Sequence, residues 1–151
     1  MSLQEELKAL KERIAELEEL AKDEQEFPKM GDIYWRIDDR GSADNCMYNN
    51  YYTDNHRQAI GNFFKTKEQA EFAQEKLKVE AELRKFSRPF KEDEYNYFIL
   101  FDSSYNNIVV DSDDCYQTQG TFYFDSEKIA LEAIDTVGEY HIKKYIFGVE
   151  G

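Results

Sequence analysis

Apolar residues recur at alternating spacings of four and three from Leu3 to Ala21, through Leu7, Leu10, Ile14 and Leu17, with charged residues filling the positions between. That is the seam of a heptad repeat, and it predicts an N-terminal coiled-coil helix over residues 1–26. With Leu7, Ile14 and Ala21 at a, and Leu3, Leu10 and Leu17 at d, the g positions hold Glu6 and Arg13 and the e positions hold Lys11 and Glu18. In a parallel pair Glu6 faces Lys11 of the second copy and Arg13 faces Glu18, both attractive. An antiparallel pair sets Lys11 near Lys11 and Arg13 near Arg13. The charges therefore favour parallel strands, and Leu at d suits a dimer, although Leu at a leaves a trimer open.

Phe27-Pro28 breaks the helix and opens a body over 27–149. Here the pattern changes to short aromatic and β-branched runs, which predict strands over 32–38, 43–48 and 60–64. The polar and aromatic segment 49–58 reads as a loop or irregular strand. Thr66, with Gln69 three residues on, predicts a helix N-cap. The helix that follows carries two opposed stripes, Ala70, Ala73, Leu77 and Ala81 on one side and Phe72, Val79, Leu83 and Phe86 on the other. Small residues permit close approach to a sheet, so the Ala stripe is expected to face the domain's own sheet. The Phe72, Val79, Leu83 and Phe86 stripe is then an expected interface, as are Leu7, Leu10, Ile14 and Leu17.

After a linker at 87–94, strands are predicted over 95–101, 108–111 and 120–124, followed by a helix capped by Ser126 and a shorter one ending near Ile146. The stretch Gly61-Asn-Phe-Phe-Lys-Thr66 is thus echoed by Gly120-Thr-Phe-Tyr-Phe-Asp-Ser126. The expected architecture is α+β: a tandem βββα repeat, over 27–88 and 94–149, forming one antiparallel sheet with its helices on one face. Met1-Ser2-Leu3 and Glu150-Gly151 read as vector-derived ends and are set aside in this reasoning.

Composition narrows the function. Nineteen basic residues against 32 acidic ones give a net charge of −13, which opposes binding to phosphate backbones. Two cysteines and the lack of a long apolar run or a leader-like segment point to a reducing compartment, the cytoplasm of the host cell, with no membrane contact. Cys46 and Cys115 fall at matched places in the repeat and are expected to be packing residues. Neither has a sequence context that suggests a Cys-His nucleophile. The run Asp111-Ser-Asp-Asp114 lacks the glycine and closing glutamate of a calcium loop and reads as a solvated turn. No catalytic residue, metal or cofactor is expected. Tyr51, Tyr52, Arg57 and Trp35 remain as a candidate binding patch, since Tyr and Trp are favoured contact residues.

The Trp35-containing strand, the Gly61-Asn-Phe-Phe-Lys-Thr-Lys-Glu-Gln-Ala-Glu helix start and the tail Ile142-Lys-Lys-Tyr145 resemble a group of small proteins encoded by phages and prophages of Gram-positive bacteria, over residues 27–149. The resemblance implies a genomic setting, often with a variable helical N-terminus, and carries over no catalytic residue. The expected function is a non-enzymatic accessory protein, a homo-oligomer through its N-terminal helix that binds a host or phage protein. Two alternatives come from other classes. One is an acidic decoy imitating DNA, suggested by the nine acids and absent Lys and Arg between Glu92 and Glu127. The other is a small-ligand binder with a cleft between the repeats containing Trp35 or His56.

Overall fold

The computed structural model of the chain describes residues 2–150, without the side chains of 23–25. It is an α+β protein that divides into two compact units, residues 1–70 and 71–151.

Helix α1 spans Leu3–Gln25. Ser2 starts it with a capping box: its Oγ accepts the Glu5 N–H at 3.2 Å, and Glu5 Oε2 accepts the Ser2 N–H at 2.9 Å. Ser2, set aside above as part of a foreign end, thus does structural work at a position where two backbone donors would otherwise lack partners. At 1.5 Å per residue the helix is about 35 Å long. Every described side chain on it is exposed.

In the first unit β1 (Ile33–Ile37) and β2 (Ala43–Met47) form an antiparallel hairpin in which Tyr34 lies opposite Cys46 and Trp35 opposite Asn45. Asp38 builds the connection: its Oδ1 accepts the N–H groups of Arg40 and Ser42, at 2.9 and 3.0 Å, and Gly41 takes the left-handed conformation the turn requires at φ +80°. The expected third strand is reduced to a single bridge between Trp35 and Phe64. Gly61, at φ +77°, turns the chain, and the Asn62 side chain then takes the next ladder position, accepting the Ile37 N–H at 2.6 Å and donating to the Ile37 carbonyl at 2.8 Å. An amide side chain has satisfied the edge where a backbone strand was expected.

The segment expected as a loop contains a second helix, α2 (Tyr52–Ala59). Apolar periodicity does not specify it. Asp54 accepts the N–H groups of Asn49 and Tyr51, at 3.0 and 3.1 Å, and so supplies an acceptor for donors at the helix start.

Helix α3 (Lys67–Phe86) begins at the end of the first unit and belongs for most of its length to the second. Thr66 Oγ1 accepts the Gln69 N–H at 3.2 Å, as its position predicts. The two stripes divide along the helix: Ala70, near its start, is fully buried as expected, whereas further on Val79 and Leu83 are buried in the core of the second unit, Phe86 packs against that core, Leu77 is 54 % exposed and Ala81 is exposed. Phe72 remains exposed at its edge and packs against Tyr145, ring centroids 5.0 Å apart. Burying a Val or Leu side chain contributes about 1.5–3 kcal/mol, far more than an alanine methyl, so the bulky stripe takes the core.

The second unit repeats the hairpin with β3 (Asn96–Asp102) and β4 (Asn107–Asp113). Here too the expected third strand is only bridges, Tyr97 with Phe124 and Arg88 with Tyr123. Among the described residues there are therefore two two-stranded sheets in place of one larger sheet. Ser126 Oγ accepts the Ile129 N–H at 3.1 Å and caps α4 (Glu127–Val137). Gly138 ends it at φ +99°, and a short α5 (Glu139–His141) runs into a π-helical turn, Ile142–Ile146. Phe124, Ala130, Ala133 and Ile142 complete the core.

Candidate functional site

Two features of the first unit carry chemistry that folding alone does not use up. The first is the seam of α1. Leu7, Leu10, Ile14 and Leu17 are 53, 62, 54 and 48 % exposed, a continuous apolar stripe open to water. Arg13 lies on one flank and holds Glu16 of the same helix at 3.0 Å, an exposed pair worth only a few tenths of a kcal/mol.

The second is a polar cluster between the hairpin and α2. Alternation along β1 sends Tyr34 and Arg36 to one face, and the hairpin register sets Cys46 and Asp44 opposite them. Helix α2 adds Asp54 and Arg57, one turn apart. The fully buried Tyr34 donates its O–H to Asp54 Oδ1 at 2.6 Å and accepts from Arg57 Nη1 at 2.8 Å. Its ring stacks on Phe63 at 4.1 Å. Arg57 Nη1 also reaches Cys46 Sγ at 3.5 Å, and Arg36 donates Nε–H to the same sulfur at 3.2 Å.

The proton sits on the phenol. Burial, and then the bond to Asp54, push Tyr34 up to about 12. The same O–H holds the Asp54 carboxyl below the usual carboxylate range, helped by the Asn49 and Tyr51 N–H groups and opposed by burial. The bond to Cys46 is the main influence raising Arg36. The cluster thus combines a carboxylate, a protonated phenol, two guanidinium groups and a thiol.

The expected patch of Trp35, Tyr51, Tyr52 and Arg57 is not assembled. Tyr51 and Tyr52 are 66 and 77 % exposed, with Tyr52 packed against His56 at 3.8 Å between ring centroids. Arg57 turns into the hairpin face that carries Tyr34. Trp35 points to the other face, where Lys67 Nζ lies 5.7 Å from its ring. Among the predicted interface residues, Val79 and Leu83 serve the core, and the α1 leucines are open.

The cysteines are not equivalent. Cys46 lies on β2 against two arginines, whereas Cys115 follows the end of β4 and is exposed. The acidic run expected as a turn is strand from Asp111 to Asp113, and the chain turns only after it, where Asp113 accepts the N–H groups of Cys115 and Tyr116 at 2.7 and 2.9 Å. Among the described residues no group of three or more His, Cys, Asp or Glu side chains is placed to hold a metal, and no helix is long and apolar enough to cross a membrane.

No family model, curated protein or solved structure matches this chain. Sequence reasoning missed Tyr34, Arg36, Cys46 and Asp54 as members of one cluster with Arg57. The available signal was the two-residue alternation of Tyr34 and Arg36 together with the i, i+3 spacing of Asp54 and Arg57.

Proposed function

We propose that the protein is a self-associating, non-enzymatic protein-binding module, of the phage and prophage kind its sequence resembles, whose copies are joined in parallel through α1. The carrying observation is the exposed seam Leu7, Leu10, Ile14 and Leu17 on a helix with no described side chain buried. A polar exterior with one open apolar stripe is what a helix presents before it meets a partner of the same kind. Charge selects that partner: a second copy laid parallel matches Glu6 with Lys11 and Arg13 with Glu18, and the second of these competes with the weak, exposed Arg13–Glu16 pair of the single helix. Two copies would present two bodies to one target and gain avidity.

We also read the bodies as two copies of one plan. Supporting this, each has a hairpin, a bridge from its first strand to an aromatic residue, Trp35 to Phe64 and Tyr97 to Phe124, and then a hydroxyl-capped helix.

The test is light scattering of the full chain beside its Leu10→Glu variant at two concentrations. A mass that is a multiple of 17.9 kDa is expected for the parent. The charged d position should raise the dissociation constant at least about tenfold, or 1.4 kcal/mol. Lys11→Glu should weaken the assembly and the further change Glu6→Lys should restore it. A parent that is monomeric at 100 µM, or assembly indifferent to Leu10→Glu, would refute the proposal.

A further inference from the structure

Two guanidinium groups from different elements converge on one sulfur: Arg36 Nε of β1 at 3.2 Å and Arg57 Nη1 of α2 at 3.5 Å from Cys46 Sγ. Their other partners leave this arrangement free to form. Asp44 meets Arg36 through a different nitrogen, Nη2, at 3.3 Å. Asp54 Oδ1 takes the Tyr34 O–H and stands 4.0 Å from Arg57, and Oδ2 takes the two backbone N–H groups. The Arg36 and Arg57 side chains are only 22 and 23 % exposed, so solvent screens them less than it would at an open surface. Cys46 itself is partly exposed, which leaves a small reagent a way in.

We propose that Cys46 is a peroxide-reactive cysteine whose oxidised form Arg36 and Arg57 hold as a sulfenate. In the step, the Cys46 sulfur attacks one oxygen of hydrogen peroxide. The S–O bond forms as the O–O bond breaks, and the thiol proton leaves with the departing hydroxide as water. The thiol and peroxide become a sulfenic acid and water, with sulfur losing two electrons and the peroxide gaining them. The sulfenic acid then gives its proton to solvent water and becomes the sulfenate, whose charge is stabilised by the two guanidinium groups that hold the sulfur at 3.2 and 3.5 Å. This site is independent of the α1 seam, so its failure would leave the assembly proposal standing.

Cys115 supplies an internal reference. It is the more exposed thiol and stands beside Asp113 and Asp114, so accessibility alone predicts that it reacts first. The full chain is treated at neutral pH with less than one equivalent of hydrogen peroxide in the presence of dimedone, which traps sulfenic acids, and both cysteine peptides are quantified by mass spectrometry. The two guanidinium groups at the Cys46 sulfur should favour trapping there by roughly tenfold, the effect of about 1.4 kcal/mol on a barrier. Trapping at Cys115 equal to or above that at Cys46 would overturn the proposal. Arg36→Gln keeps a donor but removes the charge; trapping at Cys46 should fall about tenfold relative to Cys115. An unchanged ratio in a variant with the parent's circular dichroism would equally overturn it, and if that variant fails to fold, the ratio in the parent chain decides alone.

Discussion

Replacing Tyr34 by Phe removes one oxygen and isolates what the polar cluster contributes to the first unit. The ring is fully buried and stacked on Phe63 at 4.1 Å, so the substitution leaves the packing in place and opens almost no cavity. Two bonds go: the O–H to Asp54 at 2.6 Å and the Arg57 N–H to the phenol oxygen at 2.8 Å. Asp54 is 4 % exposed, and its Oδ1 is left facing Arg57 at 4.0 Å. A hydrogen bond to a charged group contributes about 1.5–3 kcal/mol, and a buried one left unmade costs at the upper end. A loss of about 2–3 kcal/mol is expected, which for a unit of 60–100 residues lowers Tm by roughly 10–20 °C.

The pH dependence gives this reasoning a second check. Tyr34 is raised from its ordinary value to about 12, so the folded state favours the protonated phenol. That stabilisation is complete below pH 10, the unfolded value, and is lost as pH rises through about 12. A rise from 10 to about 12 corresponds to at most about 2.7 kcal/mol. Urea unfolding followed by circular dichroism at pH 7, 9 and 11.5 should show the gap between parent and Tyr34→Phe shrinking above pH 10. A gap under about 0.5 kcal/mol at pH 7, or one that widens with pH, would refute the account.

Two further substitutions test the second unit. Leu83→Ala should cost about 2–5 kcal/mol in urea unfolding, while Leu77→Ala, on the exposed side of the same helix, should cost under about 0.5 kcal/mol; the reverse order would mean the helix is turned as its alanine spacing suggested. Asn96→Ala should cost at least about 3 kcal/mol and speed amide exchange in β3 and β4. Its fully buried amide donates to the carbonyls of Lys91, Glu94 and Asp113, and its oxygen accepts from the Lys91 N–H and from Arg88. A variant with parental exchange rates would contradict this.

What could be read from sequence was whatever a local period or a cap specifies. The N-terminal helix, the caps at Thr66 and Ser126, and the hairpin strands lie within a residue or two of their predicted places. Helix α2 was hidden because its start depends on a carboxylate accepting N–H groups, with no apolar repeat to mark it. The third strands were overread because alternation cannot reveal that the Asn62 side chain would take a ladder position. The stripes of α3 were both legible, but choosing between them required comparing buried area, and spacing is silent on that.

The cluster at Cys46 lay beyond reach for a more basic reason. A hairpin slipped by one residue would carry the same strands and the same composition, yet Cys46 would face Ile33 or Trp35 in place of Tyr34, on the side away from α2. The five residues between β1 and β2 decide the matter, and within them Asp38 does so, by accepting from Arg40 and Ser42 while its own N–H pairs with the Ser42 carbonyl at 2.8 Å. Those N–H groups, Ser42 foremost, also hold the Asp38 carboxyl below its usual range. The Arg36, Cys46 and Arg57 constellation is therefore a consequence of turn chemistry eight residues before the thiol. It is at that turn that this sequence commits itself to placing a thiol between two arginines.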